Sequence, residues 1–141
     1  MTYTSVRDCK SASRDWLEAV KAAQIEGIHP GGGIALIQAY RCLNGDGLTD
    51  DELLGFNILK KALLSPAEVM ASNAGLSSDL TLSKILENED GNFGINIKTN
   101  EMVDMYEAGI IDPVKVTKSA LTNAKSAVSV LISSGHAIIE E

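Results

Sequence analysis

Cysteine, proline and aromatic side chains are all scarce in this 141-residue chain: two Cys, three Pro, one Trp, three Tyr and two Phe. Two cysteines, Cys9 and Cys42, are too few to staple a fold, and they read as reduced thiols of a cytosol-like compartment. Few aromatics beside abundant alanine, leucine, isoleucine, serine and lysine favour helix over sheet. Positive charge is short as well. A net charge of −7 and the lack of any basic patch exclude a binder of nucleic-acid phosphates. No run of 18 apolar residues occurs, so no segment reads as a membrane span. The opening "MTYTSVRDCKSASRDW" lacks the apolar core of a secretory signal.

Common catalytic signatures are absent too. Neither GxxxxGK[ST] nor GxGxxG occurs. The acidic spacing of a calcium loop fits neither "DGNFG" nor "NGDG". His29 and His136 are far in sequence from both cysteines and show no ligand spacing, so no metal site is expected. No nucleophile motif supports Ser–His–Asp chemistry.

What is present suits one helical domain. A chain of this length buries close to 70% of its unfolded surface, and 45% of its residues are hydrophobic. Residues 1–14 are polar and aperiodic and read as a tail, with the domain over 15–141. Trp16, Val20 and Ala23 recur at i, i+4 and i+7, a helical stripe that Gly27 and Pro30 stop. Helices are further expected over Ile34–Leu43 and Asp50–Leu64. Another begins at "SPAE", with Ser65 and Glu68 as a capping box, and another runs from Ser77 or Ser78 to Glu87. "DGNFGINIKT" reads as a small β-hairpin and "NEMVDMYEAG" as a short helix. Asp112 as N-cap and Pro113 at N1 open a last helix, whose Val114, Leu121, Ala124, Val128 and Leu131 form a stripe to be buried. "HAIIEE" reads as an edge strand. The fold class is mainly α, a helical bundle with a small hairpin and a C-terminal edge strand.

Three places invite a functional reading. Gly31, Gly32 and Gly33 stand before an apolar helix, although each glycine costs roughly 0.5–1 kcal/mol of order relative to alanine. They are either a plain connector or a place where bare backbone approaches a ligand at a helix N-terminus. "DGNFG" is a turn or part of a site. Asp112 is a cap or a ligand-binding carboxylate.

Taken in order, "AAQIEGIHPGGGIALIQAY", "GFNILKKALLSPAEVMASNAG" and "DGNFGINIKTNEMVDMYEAGIIDPVKVTKSAL" resemble the C-terminal half of the ATP-binding equatorial domain of a GroEL-type (group I) chaperonin. The resemblance runs from about Asp15 to Glu141. It implies that Gly31 and Gly32 lie against a nucleotide, with Gly32 touching it by backbone. It places Asn96, Ile97 and Lys98 beside adenine and sugar, Ile110 as an apolar wall for the base, and Asp112 on the ribose hydroxyls. The family's hydrolytic aspartate stands 17 residues before the middle glycine, and Asp15 holds that spacing. It would orient water and help hold Mg²⁺ near the γ-phosphate, although Trp16 stands next to it where the family has small residues.

The family's "DGTTT" phosphate loop, its apical and intermediate domains and its Gly–Met tail have no counterpart here. The resemblance therefore implies the nucleoside half of an ATP site, with ATP and Mg²⁺ expected only alongside an N-terminal half, and negligible ATPase activity alone. It also implies an exposed apolar surface, other chaperonin subunits as partners, self-association or ring contact through "HAIIEE", and a cytoplasmic location, or a mitochondrial or plastid matrix in a eukaryote. Two readings remain open: a piece of an ATP-dependent folding machine that works with its other half, or a stand-alone interaction module that binds a chaperonin ring without turnover.

Overall fold

The computed structural model describes residues 3–135, with side-chain surroundings from Arg14 onward. The chain divides into two units, Met1–Ile28 with Asp112–Glu141, and His29–Ile111.

The first unit holds two helices packed on each other, α1 (Tyr3–Glu26) and α6 (Val114–Ser133). α1 starts at Tyr3, well before the stripe that marks it in sequence, because neither glycine nor proline interrupts it before Gly27. Residues 3–14 are thus helix rather than tail, and Asp15 is an exposed residue inside the helix, not an N-cap. Gly27 ends α1 at φ +84°, its N–H donating to the Ala23 carbonyl at 2.9 Å. This is the left-handed position that glycine takes after a helix.

α6 corrects a second expectation. Its N-cap is Pro113, at φ −69° and ψ 132°, and Asp112 lies exposed in strand β4 (Ile111–Pro113) with no capping bond. The helix begins one residue later than expected because Pro113 is extended. The free N–H of Val114 is met by the Gly27 carbonyl at 3.1 Å, so no side-chain cap is needed. Lys118 and Glu26 add an ion pair at 2.7 Å, partly solvated and worth little. The expected stripe of α6 is not buried: Val114 is half-buried, and Leu131 is 72% and neighbouring Ile132 80% exposed. Trp16 on α1 is 72% exposed. No other element within this unit covers these faces among the described residues. The "HAIIEE" strand lies outside the described residues.

The second unit contains the core. After β1 (Ile28–Pro30), which pairs with β4, come α2 (Ile34–Cys42), α3 (Asp50–Ala62), α4 (Ser65–Asn73) and α5 (Ser78–Glu87), then the antiparallel hairpin β2 (Phe93–Asn96) and β3 (Glu101–Asp104). Ile34 and Ile37 of α2, Ala67 of α4, Leu82 and Ile85 of α5, and Met105 form one buried cluster. Ile37 and Met105, each 1% exposed, contribute about 1.5–3 kcal/mol apiece through burial.

α2 also provides polar anchors. Arg41 donates to the carbonyls of Ile85, Leu86 and Asn88 at 2.7, 2.9 and 2.6 Å, satisfying acceptors that the end of α5 leaves open. Gln38 donates to the Gly91 carbonyl. One helix thereby fixes both the end of α5 and the "DGNFG" turn.

Two local expectations change. "NEMVDMYEAG" supplies β3 and a run of turns instead of a helix, so the hairpin's second strand lies beyond Thr99. Met102 and Val103 gain more by packing on the core in register with Ile95 and Gly94 than four residues gain from helical propensity. Asn100 closes the turn at φ 58°, which asparagine tolerates. The "SPAE" box does not form: α4 continues from α3 through helical Leu63 and Leu64, leaving no extended residue for Ser65 to cap from. The working box stands earlier, where the Thr49 N–H and hydroxyl both donate to the Glu52 carboxylate, at 2.9 and 2.8 Å. On α3 itself nothing is buried, with Leu54 and Ile58 in solvent.

This packing can be probed at two positions. A Cβ on Gly94 would stand 2.8 Å from Ile34 Cδ1 and 2.9 Å from Met105 Sδ. Gly94→Ala is expected to lose about 1–3 kcal/mol by overpacking, read from the urea midpoint at unchanged m-value. The Thr49 N–H, and secondarily its hydroxyl, hold the Glu52 carboxyl below its ordinary range. That contribution to stability is complete above the ordinary pKa and fades as pH falls through the lowered one. Thr49→Val should raise the Glu52 pKa only part of the way, since the N–H remains; an NMR titration with no change would show that the hydroxyl adds nothing.

Candidate functional site

The glycine run owes its composition to close packing. Gly32 and Gly33 sit at φ +64° and +78°, which L side chains rarely adopt. A Cβ on Gly32 would meet Met105 Cε at 2.9 Å, and one on Gly33 would meet Met70 Cε at 3.1 Å and the Ala67 backbone nitrogen at 3.3 Å. Gly31 is buried, and its N–H donates to the Ile110 carbonyl at 2.9 Å. Ile110 in turn donates its own N–H to the Met105 carbonyl at 2.8 Å. Gly31, Gly32 and Ile110, almost eighty residues apart in sequence, are thereby fixed together around Met105.

Asn96 ends β2 and organises the turn beyond it. Its side-chain oxygen accepts the Lys98 N–H at 3.0 Å, and its carbonyl accepts the Asn100 N–H at 2.7 Å. This Asx turn leaves Ile97 and Lys98 exposed at the tip of the hairpin. Between the glycine run, α4, α5 and β2 lies a shallow hollow of about 270 Å³ including its open mouth, with an interior of about 10 Å³, room for roughly one water. Its walls are mostly apolar, and Gly32, Met70, Thr81, Ile95 and Ile97 all contribute.

The structure therefore brings Gly31, Gly32, Asn96, Ile97, Lys98 and Ile110 into one unit, with Gly32 and Ile97 lining the hollow. Asp112 and Asp15 belong to the other unit, both exposed. Among the described residues no group of three or more His, Cys, Asp or Glu stands together as metal ligands, and no helix is long and apolar enough to cross a membrane.

Sequence reasoning passed over Met105, Met70 and Thr81. The two methionines gave no signal, being ordinary apolar residues. Thr81 did offer one: it is a polar residue on the face of α5 that also carries Leu82 and Ile85, and all three are buried.

The chain is mainly helical, with a glycine turn held against a small hairpin in its larger unit, and comparison with known proteins gives the class. A family model of the TCP-1/cpn60 chaperonin family matches residues 2–140. Among solved structures, the crystal structure of a group III chaperonin in the open state superposes with a TM-score of 0.76 at 28% identity, over 83% of this chain and 25% of that one. The chain belongs to the TCP-1/cpn60 chaperonin family, and spans about a quarter of the length of that solved relative.

Asn96→Ala removes the bond that closes the hairpin tip. It is expected to cost about 1 kcal/mol and to speed amide exchange of Lys98 and Asn100, measurable by hydrogen-exchange NMR, whether or not any ligand is present.

Proposed function

We propose that this chain is the C-terminal portion of the equatorial domain of a GroEL-type chaperonin, contributing the nucleoside half of an ATP site and inter-subunit contacts for ATP-dependent protein folding. The observation that carries the reading is that Gly32 and Ile97 line one apolar hollow, with Ile110 bonded to the neighbouring Gly31. A nucleoside needs a place for close backbone approach, an apolar wall, an amide and a carboxylate. Gly31 and Gly32 provide the first, Ile97 and Ile110 the second, Asn96 the third, and Asp112 the last, for the ribose hydroxyls.

These residues suit a base and sugar. They do not suit a triphosphate with its Mg²⁺: Asp15 is a lone carboxylate on α1, and no acidic cluster accompanies it among the described residues. Phosphate and metal contacts are assigned to the N-terminal half of the domain, with Asp15 as the one carboxylate this chain adds. There it would hold and orient a water for attack on the terminal phosphate. The exposed faces of α3 and α6 are the surfaces such a half, or another subunit, would cover.

The test is co-purification with the N-terminal half of a group I equatorial domain. The chain alone should release phosphate from ATP at background rate, and the pair should bind Mg²⁺-ATP. In that pair Asp112→Ala should weaken nucleotide about tenfold, or about 1.4 kcal/mol. It should leave thermal stability within about 0.5 kcal/mol, because Asp112 caps nothing. A chain that ignores the N-terminal half but binds an intact chaperonin ring would replace this reading with that of a stand-alone interaction module.

A further inference from the structure

Thr81 is 8% exposed, the one buried polar side chain among the described residues, and it lines the hollow beside Gly32 and Ile97. Its backbone N–H is used within α5, donating to the Ser77 carbonyl at 3.0 Å. Its hydroxyl has no hydrogen-bond partner among the described residues, yet is not sealed from solvent. A hydroxyl that keeps access to solvent inside a mostly apolar recess is free to bond a ligand there. Valine has nearly the same shape and would fill this place on an otherwise apolar wall without offering a polar atom. The arrangement is that of an apolar recess with one polar group inside, the usual build of a small-molecule subsite.

We propose that the Thr81 hydroxyl is a base-recognising group of the nucleoside site, hydrogen-bonding the polar edge of a purine whose ring lies against Ile97. This rests on the nucleotide reading given above. The interior of the hollow is too small for a whole ring, so it takes an edge while the face stays on the exposed Ile97 side chain. A hydroxyl donates and accepts, and it serves either a ring nitrogen or an exocyclic amino group. It fixes the base by one bond and leaves sugar and phosphates to other groups.

The experiment is an NMR titration of the full-length chain with adenosine, then with purine riboside, which lacks the amino group. Adenosine is expected to move the amide signals of Gly32, Thr81 and Ile97 together. Thr81→Val should weaken its binding about three- to tenfold, the loss of one neutral hydrogen bond, while Thr81→Ser keeps wild-type affinity. Purine riboside then tells which edge is read: equal affinity for both ligands in the valine variant assigns the bond to the amino group, and a parallel loss assigns it to a ring nitrogen. Adenosine binding that leaves Thr81 unmoved, or a folded Thr81→Val that binds as wild type does, overturns the proposal and leaves the nucleotide reading standing; the hydroxyl then merely holds a water. If the valine variant does not fold, the signal shifts of the wild type decide. No shift with either nucleoside at millimolar concentration overturns the proposal for this chain, while Mg²⁺-ATP binding by the pair with the N-terminal half decides the nucleotide reading separately.

Discussion

Met105 occupies space that two glycines leave open. Its sulfur stands 2.9 Å from where a Cβ on Gly94 would be, and its terminal methyl 2.9 Å from where a Cβ on Gly32 would be. Most of the larger unit is arranged by that contact. It sets the distance between the glycine run and β2, and it places the Ile110 backbone, bonded to Met105, within reach of Gly31. Ile34 closes the same space from α2. Interiors are packed tightly enough that a single methyl matters. The two glycines are thus demanded by the core before any ligand is considered. The alternative raised by the sequence, connector or ligand contact, is not exclusive: the turn is rigid because it is packed, and a rigid turn is what a backbone contact to a ligand requires.

The polar side of α2 complements that contact. Arg41 gathers three carbonyls at the end of α5, and Gln38 holds the turn after it. Charged and amide groups that would be costly inside an apolar core find partners at its border. The hairpin is therefore held by α2 at the turn that leads into β2 and on its inner face by Met105. Only its tip, Ile97 to Asn100, stays in solvent.

Much of this was legible in residues and spacing. The ends of α1 and α2, the start of α5 and the presence of a hairpin are signalled by glycine, proline and capping residues. The chaperonin-like motifs marked the segments that meet around the hollow. The extent of α1 was not legible, since polar residues without a stripe can still be helical where nothing breaks them. β3 was misread because its four residues are too few to show a period, and their conformation is decided by Gly94 and Ile95 across the ladder. The capping boxes were exchanged: "SPAE" carries the pattern but comes after a residue already helical, whereas Thr49 stands at the end of an extended loop. The stripe of α6 was real as a pattern, but a pattern names the face to be covered and not the partner that covers it.

The Asx turn at Asn96 has a consequence for how this site can diversify. The residue proposed to offer its amide to a base is also the residue that shapes the tip, so a change there would alter any such contact and the architecture together. The same holds for Gly32, whose missing side chain belongs equally to Met105. Ile97 and Lys98 carry no such double duty: their side chains are exposed and make no hydrogen bond among the described residues. Side chains at those two positions can therefore change at little cost to folding, while the scaffold that presents them is locked from beneath.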